Sequence, residues 1–297
     1  MIEFQVGDIL RTVKYLEFIG NDEAVVGRLI SIDRNNKNPN ALFWCSDANI
    51  DSLDELTTGT VICSKLVFKK SLSSRCNYVV VENPRLCFTE VINKFFSYPE
   101  MTGLSETAKV SKTVKLGHQV SIGEHVVIGE NCVIGSNVSI GHNSVINSNT
   151  VIGSSVKIGS NCTIGGCGFG YEVGEDGKKI RINHIGGVFL GDLVELGNNV
   201  CIDRGVIGDT ILGDGVLVDN LAHISHNVVI GENSMIFALT VICGSTIIGK
   251  NSKVAPGASV INKITIGDKA QIGLGAVVVR NIPAGIIVAG NPAKKLK

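Results

Sequence analysis

The sequence predicts a mainly β protein in which a parallel β-helix follows a small α/β domain, and a six-residue repeat is the strongest reason. An aliphatic residue recurs at every sixth position, and glycine usually follows it. Helices repeat near 3.6 residues and strands near 2, so a period of six fits short strands that turn a corner at each repeat. Three such strands complete a triangular coil of 18 residues. The repeat runs from Leu116 to Ile164, from Leu190 to Ile202 and from Leu212 to Val278.

The residues around the repeat also fit a narrow interior without rings. Two positions before each aliphatic residue lie small or β-branched side chains such as Val126, Cys132 and Ser144. Aromatic residues make up only 5% of the chain, and most precede residue 105. The 35 glycines are expected at sharp corners, because glycine tolerates positive φ. These features predict strands stacked around a prism of aliphatic side chains.

The repeat divides the chain into three parts. Residues 1–103 lack it and predict a small α/β domain with a possible nucleotide-binding role. Residues 104–283 carry the β-helix, which an excursion loop at 165–187 interrupts, and residues 284–297 form a C-terminal tail. A glycine-rich departure from a solenoid is typical of a binding cleft or a subunit contact.

Hydrophobic runs in the first 103 residues predict four strands and one helix. Asn83 and Pro84 predict the start of the helix, as N-cap and first helical residue, and Tyr98–Pro99 its end. The expected strands are 23–32, 41–45, 61–67 and 78–81. The expected buried stripe of the helix comprises Phe88, Val91, Ile92, Phe95 and Phe96.

Composition and charge argue against several classes of function. Basic and acidic residues number 27 each, which gives no footprint for nucleic acid. The N-terminus carries no secretory signal, and no apolar stretch reaches the roughly 18 residues of a membrane span. Nine scattered cysteines without a CxxC pair indicate a reducing, cytoplasmic location. We expect neither a metal site nor a tightly bound cofactor.

The densest group of potentially reactive side chains follows the second interruption of the repeat. Asp219, Asn220, His223 and His226 fall within half a coil. One coil of 18 residues separates His226 from Gly244, which should therefore stack on it. A neutral imidazole is a suitable base near pH 7, and a backbone N–H is suited to an oxyanion. The pair predicts acyl transfer to an amine, and two hydrogen-bonded corner histidines are the alternative.

The other four histidines have different sequence settings. His184 lies in the excursion loop, where we expect it to contact a ligand. His118, His125 and His142 belong to ordinary early coils, and we expect them at solvated corners.

Several longer motifs resemble those of the UDP-3-O-acylglucosamine N-acyltransferases of lipid A synthesis. The matching segments are Gly168–Tyr171, Arg181–Val188, Ile202–Gly205, Asp219–Asn220 and Ile224–Gly231. The resemblance implies that the β-helix is left-handed. It also implies a homotrimer with active sites between neighbouring chains, a thioester donor and a nucleotide-sugar acceptor.

The same resemblance implies roles for individual residues. His226 matches the general base of the family, and Gly244 matches its oxyanion contact. The expected supporting and acceptor-binding residues are Asp219, Asn220, His223, His184, Phe169 and Tyr171.

The segment 42–50 aligns with the uracil-binding phrase of the family but departs from it. Trp44 replaces a phenylalanine and still offers a stacking surface. Asp47 replaces an asparagine and Ile50 a tyrosine, so a carboxylate would face the edge of the base. We expect Trp44 and Asp47 to contact the nucleotide, whose base stays open.

The C-terminal region departs from the family in its expected donor contacts. Asn262 lies where family members often carry a second active-site histidine. The end of the chain resembles that of coenzyme A-dependent sugar acetyltransferases, in which the tail lies along the pantetheine and basic residues meet phosphates. The expected donor-binding residues are therefore Asn262, Gly290, Asn291 and Lys294.

These observations leave several functions open. The first is a lipid A-type N-acyltransferase that takes a 3-hydroxyacyl chain from acyl carrier protein. The second transfers a short acyl group from coenzyme A to a UDP- or dTDP-amino sugar for surface polysaccharide. A remote alternative is a γ-carbonic-anhydrase-like metalloenzyme, in which His223 and His226 would be two of three ligands. A non-enzymatic assembly module leaves the histidine cluster unexplained.

Overall fold

The fold was analysed in a computed structural model that describes residues 3–30, 38–47, 53, 56–70, 75–97 and 102–295. The chain forms two compact units, residues 1–100 and residues 101–297.

The N-terminal unit is built on a five-stranded sheet. Its elements in chain order are β1 (Phe4–Gln5), α1 (Val6–Thr12), β2 (Glu17–Ile19), β3 (Val25–Val26), β4 (Arg28–Leu29), β5 (Ala41–Cys45), β6 (Gly59–Cys63), α2 (Lys65–Lys70), β7 (Cys76–Val80) and α3 (Pro84–Phe95). The sheet order is β2-β7-β6-β5-β4, in which only β2 runs antiparallel to its neighbour, and β1 pairs with β3. Alternate residues such as Leu42 and Phe43 enter two separate apolar clusters, one on each face of the sheet.

The strand predictions for this unit are partly confirmed. The strand 41–45 is confirmed, and β7 covers most of the predicted 78–81. The predicted strand 61–67 is wrong after Cys63, because Ser64 Oγ accepts a hydrogen bond from the Val67 N–H at 3.3 Å and α2 begins there. The predicted strand 23–32 is divided into β3 and β4, and its last two residues lie outside the described part. The sequence did not predict α1 or β2.

The start of α3 is confirmed in detail. Asn83 Oδ1 accepts a hydrogen bond from the Leu86 N–H at 3.1 Å, and Pro84 is the first helical residue. The predicted stripe of the helix is less buried than expected. Val91 is buried, but the other four residues of the stripe are only half-buried. Cys87 is the other buried residue of the helix. Tyr98 and Pro99 lie outside the described residues.

The second unit is a parallel β-solenoid with three faces, as predicted. Face I comprises β8 (Lys109–Val110), β11 (Val127–Ile128), β14 (Val145–Ile146), β17 (Thr163–Gly166), β22 (Cys201–Asp203), β25 (His223–Ile224), β28 (Val241–Ile242), β31 (Ser259–Val260) and β34 (Val277–Val278). Face II comprises β9 (Lys115–Leu116), β12 (Val133–Ile134), β15 (Thr150–Ile152), β20 (Val188–Leu190), β23 (Thr210–Leu212), β26 (Val229–Ile230), β29 (Ile247–Ile248) and β32 (Thr265–Ile266). Face III comprises β10 (Ser121–Ile122), β13 (Ser139–Ile140), β16 (Lys157–Ile158), β21 (Glu195–Leu196), β24 (Leu217–Val218), β27 (Met235–Ile236), β30 (Lys253–Val254), β33 (Gln271–Ile272) and β35 (Ile287–Ala289), and β36 (Lys294–Lys295) returns antiparallel to β35.

The interior of the prism contains the predicted aliphatic residues. Those from Ile122 to Val278 are buried, and so are the small side chains two positions before them. Ser144 keeps its hydroxyl satisfied there, because its Oγ donates to the Gly159 carbonyl at 2.9 Å. Leu116 is 37% exposed, because β9 is the end strand of face II.

Glycine and asparagine have different structural roles from those predicted, since glycine alone was expected at the sharp corners. The glycines that follow the aliphatic residues allow coils to stack closely, since a Cβ on Gly117 would lie 2.6 Å from the backbone of Gly135. The left-handed corner positions are often asparagine, for example Asn131, Asn149 and Asn227 with φ of 58°, 62° and 59°. Asparagine tolerates this conformation better than most residues with a Cβ.

The excursion loop leaves and re-enters at the corner between faces I and II, here called the I–II corner. It connects β17 to β20 and contains a hairpin of β18 (Tyr171–Val173) and β19 (Lys179–Arg181). The solenoid continues across it, because β17 pairs with β22 and β15 with β20. The loop therefore emerges at the same corner of the prism at which β25 ends and His226 follows.

Candidate active site

Gly244 lies directly above His226 at the I–II corner, as the count of 18 residues predicted. The Ser245 N–H donates to the His226 carbonyl at 2.9 Å, which joins the two coils. A Cβ on Gly244 would lie 2.6 Å from both Cε1 and Nε2 of the His226 ring. The imidazole therefore occupies space that a side chain at position 244 would fill.

Asn227 fixes the orientation and tautomer of the His226 ring. The Asn227 amide is itself fixed, because its Oδ1 accepts from the Val206 N–H at 2.9 Å and its Nδ2 donates to the Gly208 carbonyl at 3.1 Å. His226 Nδ1 lies 3.2 Å from that same Oδ1, which can only accept. Nδ1 must then carry the proton, and Nε2 presents its lone pair.

Two backbone N–H groups at this corner are free to bind a ligand. At several other corners the N–H two residues after the aliphatic residue donates to the side chain one coil above, as in Glu130 N–H to Ser148 Oγ at 3.1 Å and Lys250 N–H to Asp268 Oδ1 at 2.8 Å. Gly244 has no side chain to offer His226. Across the described residues, the N–H groups of His226 and Gly244 have no hydrogen-bond partner. These donors are suited to an oxyanion.

His223 contacts a buried carboxylate that sequence reasoning missed. Its Nε2 lies 3.5 Å from Oδ2 of Asp203, which is only 8% exposed. Burial raises the pKa of the Asp203 carboxyl, while the nearby His223, His226 and His184 oppose that shift. The phase change at Asp203 was the sequence signal that could have identified it.

Arg204 ties the base of the excursion loop to the solenoid. Its Nε donates to the Gly165 carbonyl at 2.7 Å, and its Nη2 donates to the Ser148 carbonyl at 3.0 Å. The first glycine of the loop is thereby held at the I–II corner. From the sequence, Arg204 was identified only as part of the Ile202–Gly205 motif.

The structure brings His184 from the excursion loop against His226. The two ring centroids lie 5.1 Å apart with the planes at 76°, an edge-to-face arrangement. His184 is only 6% exposed, and its Nδ1 lies 2.9 Å from the Ile182 carbonyl oxygen. Its prediction as a ligand contact stays a prediction.

Phe169 and Tyr171 form an exposed aromatic pair on the excursion loop. Their ring centroids lie 5.1 Å apart, and Phe169 is 89% exposed. Arg181 donates from Nη1 to the Tyr171 hydroxyl at 3.3 Å. The pair offers a surface for an apolar or planar group next to the histidines.

Asp219 and Asn220 lie at a different corner from His226. They follow β24, where face III meets face I, and Asn220 Oδ1 accepts from the Asn198 N–H at 2.7 Å. Asp219 Oδ1 in turn accepts from the Asn220 N–H at 2.7 Å. Within one chain the structure does not bring these two residues together with His226.

Trp44 and Asp47 lie at the end of β5 in the N-terminal unit. Trp44 is half-buried, and its ring centroid lies 6.2 Å from that of Phe88 in α3. Asp47 is exposed and accepts a hydrogen bond from the Ser64 hydroxyl. The third expected position, Ile50, lies outside the described residues.

The expected donor-binding residues lie on the upper coils. Asn262 is exposed one coil above Gly244, since the Lys263 N–H donates to the Gly244 carbonyl at 3.0 Å. Gly290 and Asn291 belong to the turn between β35 and β36, and Asn291 precedes a cis proline. Lys294 helps line a cavity with Arg280, Lys295, Ile282, Pro283, Ile286, Val288 and Ala293.

The described residues lack two further kinds of feature. None of their His, Cys, Asp and Glu side chains form a group of three suited to a metal ion. No helix among these residues has the length and apolar composition to cross a membrane.

Comparisons with known proteins agree with the repeat and with the resemblance. Residues 107–142 match the bacterial transferase hexapeptide (six repeats) family. A UDP-3-O-acylglucosamine N-acyltransferase 1 of Francisella tularensis subsp. holarctica (strain OSU18) is 52% identical over 68 residues, which are 23% of this chain and 20% of that protein. A UDP-3-O-acylglucosamine N-acyltransferase of Saccharophagus degradans is 51% identical over 67 residues, 23% of this chain and 19% of that protein. The chain thus spans about a fifth of the length of the curated relatives it matches.

Solved structures are similar over a longer part of the chain. A UDP-N-acetylglucosamine acyltransferase from Bacteroides fragilis has a TM-score of 0.59 and 26% identity, covering 65% of this chain and 73% of that one. The enzyme of the same name from Francisella novicida has a TM-score of 0.60 and 24% identity, covering 65% and 68%. The likeness to the Francisella novicida enzyme shows the fold. The relatives and both structures are named acyltransferases.

Proposed function

We propose that this chain is an N-acyltransferase that moves an acyl group from a thioester donor to the amino group of a nucleotide-linked sugar. The observation that carries the proposal is the I–II corner at His226 and Gly244. There His226 Nε2 borders the space above it that Gly244 leaves open, and the backbone N–H groups of both residues have no partner among the described residues. The relatives, which this chain matches over about one fifth of their length, are named acyltransferases. Their names support the same class of reaction.

The proposed reaction uses these groups in one sequence. The amine nitrogen attacks the thioester carbonyl, and His226 Nε2 accepts a proton from that nitrogen. The carbonyl electron pair moves to oxygen, and the N–H of Gly244 binds the resulting oxyanion. The tetrahedral intermediate collapses with cleavage of the C–S bond, and the His226 imidazolium returns the proton to the leaving thiolate.

For the specific substrates, we propose UDP-3-O-acylglucosamine as the acceptor and an acyl carrier protein as the carrier of the donated acyl group. The alternative is a coenzyme A thioester with a UDP- or dTDP-amino sugar. The basic cavity around Lys294 supports a phosphate-bearing donor of either kind. Trp44 and Asp47 are the proposed contacts to the base, and the proposed donor is a co-substrate rather than a bound cofactor.

A homotrimer is part of the proposal. Asp219 and Asn220 lie at the corner between faces III and I, whereas His226 lies at the I–II corner. Residues at two corners of one prism meet in a single site only if a second copy supplies one of them. The cytoplasmic location stays a prediction from the cysteine usage.

A donor and acceptor screen tests the proposal. Acetyl-coenzyme A and 3-hydroxyacyl carrier protein are each combined with UDP-3-O-acylglucosamine and with UDP- and dTDP-amino sugars. The expected result is an amide product, detected by mass, with the wild-type protein and none with His226→Ala. Product formed equally by the His226→Ala protein would overturn the assigned base, and no product with any pair would overturn the function.

A further inference from the structure

The tautomer of His184 is fixed by its surroundings. The Ile182 carbonyl lies 2.9 Å from His184 Nδ1 and can only accept, so Nδ1 must carry a proton. The Cys167 Sγ lies 3.7 Å from the same nitrogen. In the neutral ring, Nε2 is then a lone-pair acceptor, the same tautomer as in His226.

That lone pair is buried and has no partner. His184 Nε2 is the buried side-chain nitrogen or oxygen without a hydrogen bond in the described residues. Leaving a buried acceptor without a partner is energetically unfavourable. Because most buried polar groups in proteins are paired, an orphan beside a proposed base calls for a functional explanation.

Gly168 marks a space that borders both histidine rings. A Cβ on Gly168 would lie 2.7 Å from His184 Nε2 and 3.3 Å from His226 Cδ2. His184 Nε2 and the Cδ2 edge of His226 therefore face the same small space, which only a glycine leaves open. In imidazole Cδ2 is bonded to Nε2, so this edge adjoins the nitrogen that accepts the proton.

Charged groups surround the two rings on several elements. Asp203 on β22 and His223 on β25 lie on the solenoid side, and Arg204 ties down the base of the loop. On the loop side, Cys167 lies beside Arg181, whose hydrogen bond lowers the pKa of the Cys167 thiol. Among these groups, His184 is the one in ring contact with His226.

We propose that His184 is a positioning residue for His226, and that its unshared Nε2 lone pair stabilises the imidazolium that forms when His226 accepts the proton of the acceptor amine. The ring packs edge to face and holds the His226 imidazole in place. The lone pair adds the negative end of a dipole next to the developing positive charge. The excursion loop thus contributes to the chemical step, and not to acceptor binding alone.

This inference rests on the proposed role of His226 as the base. Its bond changes are those of the proposed reaction, and His184 itself neither gains nor loses a proton. The expected consequence is a lower kcat without a matching rise in the KM of the acceptor, because the contribution arises only when His226 is charged.

Two substitutions of His184 separate packing from electrostatics. His184→Phe keeps a ring of similar shape and removes the lone pair, so kcat should fall by about tenfold, the effect of losing roughly 1.4 kcal/mol. His184→Gln has a carbonyl oxygen that reaches the position of Nε2, and it should recover a large part of that loss. His118→Phe, at an exposed corner, is the matched control and should keep the wild-type kcat. A His184→Phe protein with the wild-type kcat would overturn the proposal.

A second pair of variants tests the shared space. Gly168→Ala places a methyl group between the two rings and should lower kcat, because it separates them. Gly166→Ala lies in the same loop, where its Cβ would meet Thr163 and Asp203 only at 3.5 and 3.8 Å, and should have little effect. Equal activity of the two variants would contradict the proposed contact. Thermal unfolding and the mass in solution verify that each variant is folded.

A measurement without substrate distinguishes failure of this inference from failure of the function. Two-bond ¹H–¹⁵N correlation spectra report which nitrogen of a histidine carries the proton. The expected spectrum shows His184 as the Nδ1–H tautomer, assigned by its loss in His184→Phe. An Nε2–H tautomer at His184 would overturn the inference whatever the enzyme acylates, whereas the absence of an amide product with every donor and acceptor pair would overturn the proposed function.

Discussion

Two histidines occupy the same position of the six-residue repeat but make different contacts. His142 and His226 each lie two residues after a buried isoleucine. His142 Nδ1 accepts from the Glu124 N–H at 2.9 Å, so it serves the ladder of side chains that joins neighbouring coils. His226 Nδ1 donates to Asn227 instead, and its Nε2 faces Gly244.

The difference arises from what lies around each ring rather than from the histidine itself. His142 is exposed, whereas Gly244, Asn227 and His184 enclose His226. The solenoid gives every repeat nearly the same backbone. The proposed site differs from the corner at His142 in having a glycine above the histidine and an excursion loop beside it.

The largest expected effect is the loss of activity on removal of His226. His226→Ala should lower kcat/KM by about 10²–10⁴, because a general base is lost. His142→Ala should keep activity within about threefold and lower the stability slightly, because it removes one inter-coil hydrogen bond of roughly 1 kcal/mol. Steady-state rates and thermal unfolding compare the two. Equal losses of activity would contradict the distinction between the corners.

Filling the space above His226 should have the next largest effect. The methyl group of Gly244→Ala would lie 2.6 Å from the imidazole, so the ring must move away from the unpartnered N–H groups. We expect kcat to fall by about 10²-fold, similar to the loss of an oxyanion contact. Gly208→Ala, whose Cβ would meet nothing within 4 Å, is the control. Unchanged kcat in Gly244→Ala would show that position 244 need not be open.

Asp203 provides a comparison of stability between the reactive corner and a regular one. Burial raises its folded pKa above the ordinary 3.8, so the folded state holds the proton more strongly than the unfolded chain. The wild-type protein therefore loses stability as the pH rises from the unfolded pKa of Asp203 to its folded pKa. The full loss is present above the folded pKa. Asp203→Asn cannot ionise and should raise the free energy of unfolding near pH 7. That gain should disappear below about pH 3.8.

The matched control for Asp203 is a carboxylate of a regular corner. Asp192 Oδ1 accepts from the Ser154 N–H at 2.7 Å, and an asparagine keeps that acceptor. Asp192→Asn should change the stability little at either pH. Denaturant unfolding at two pH values measures both variants, and a destabilised Asp203→Asn near pH 7 would contradict the prediction.

The smallest expected effect is a difference in thiol reactivity. Burial raises the thiol pKa of Cys132 and Cys162 inside the regular coils. It also raises the pKa of Cys63, in β6 of the N-terminal unit, to about 12. Arg181 lowers the pKa of the exposed Cys167 thiol in the excursion loop. The thiolate is the reactive form, so iodoacetamide near pH 7 should label Cys167 first. Mass spectrometry of tryptic peptides measures the order, and Cys167→Ser should remove the fast phase.

The sequence by itself determined the solenoid, the corner positions and the pairing of His226 with Gly244. A strict period places residues by counting, so the stacking of residue 244 on residue 226 needed no knowledge of distant contacts. The same reasoning was less successful in the first 100 residues. There α1, α2 and β2 depend on local caps and on burial against a sheet, which no fixed period encodes.

Only the tertiary structure decided which groups surround the proposed base, His226. The excursion loop does not follow the repeat, so no count could place His184 against His226 or Gly168 between the two rings. Asp203 lies next to His223 because β22 and β25 are paired strands of face I, with Cys201 opposite His223. The separation of Asp219 and Asn220 from His226, in contrast, follows from the repeat, since half a coil along the sequence crosses from one corner of the prism to another.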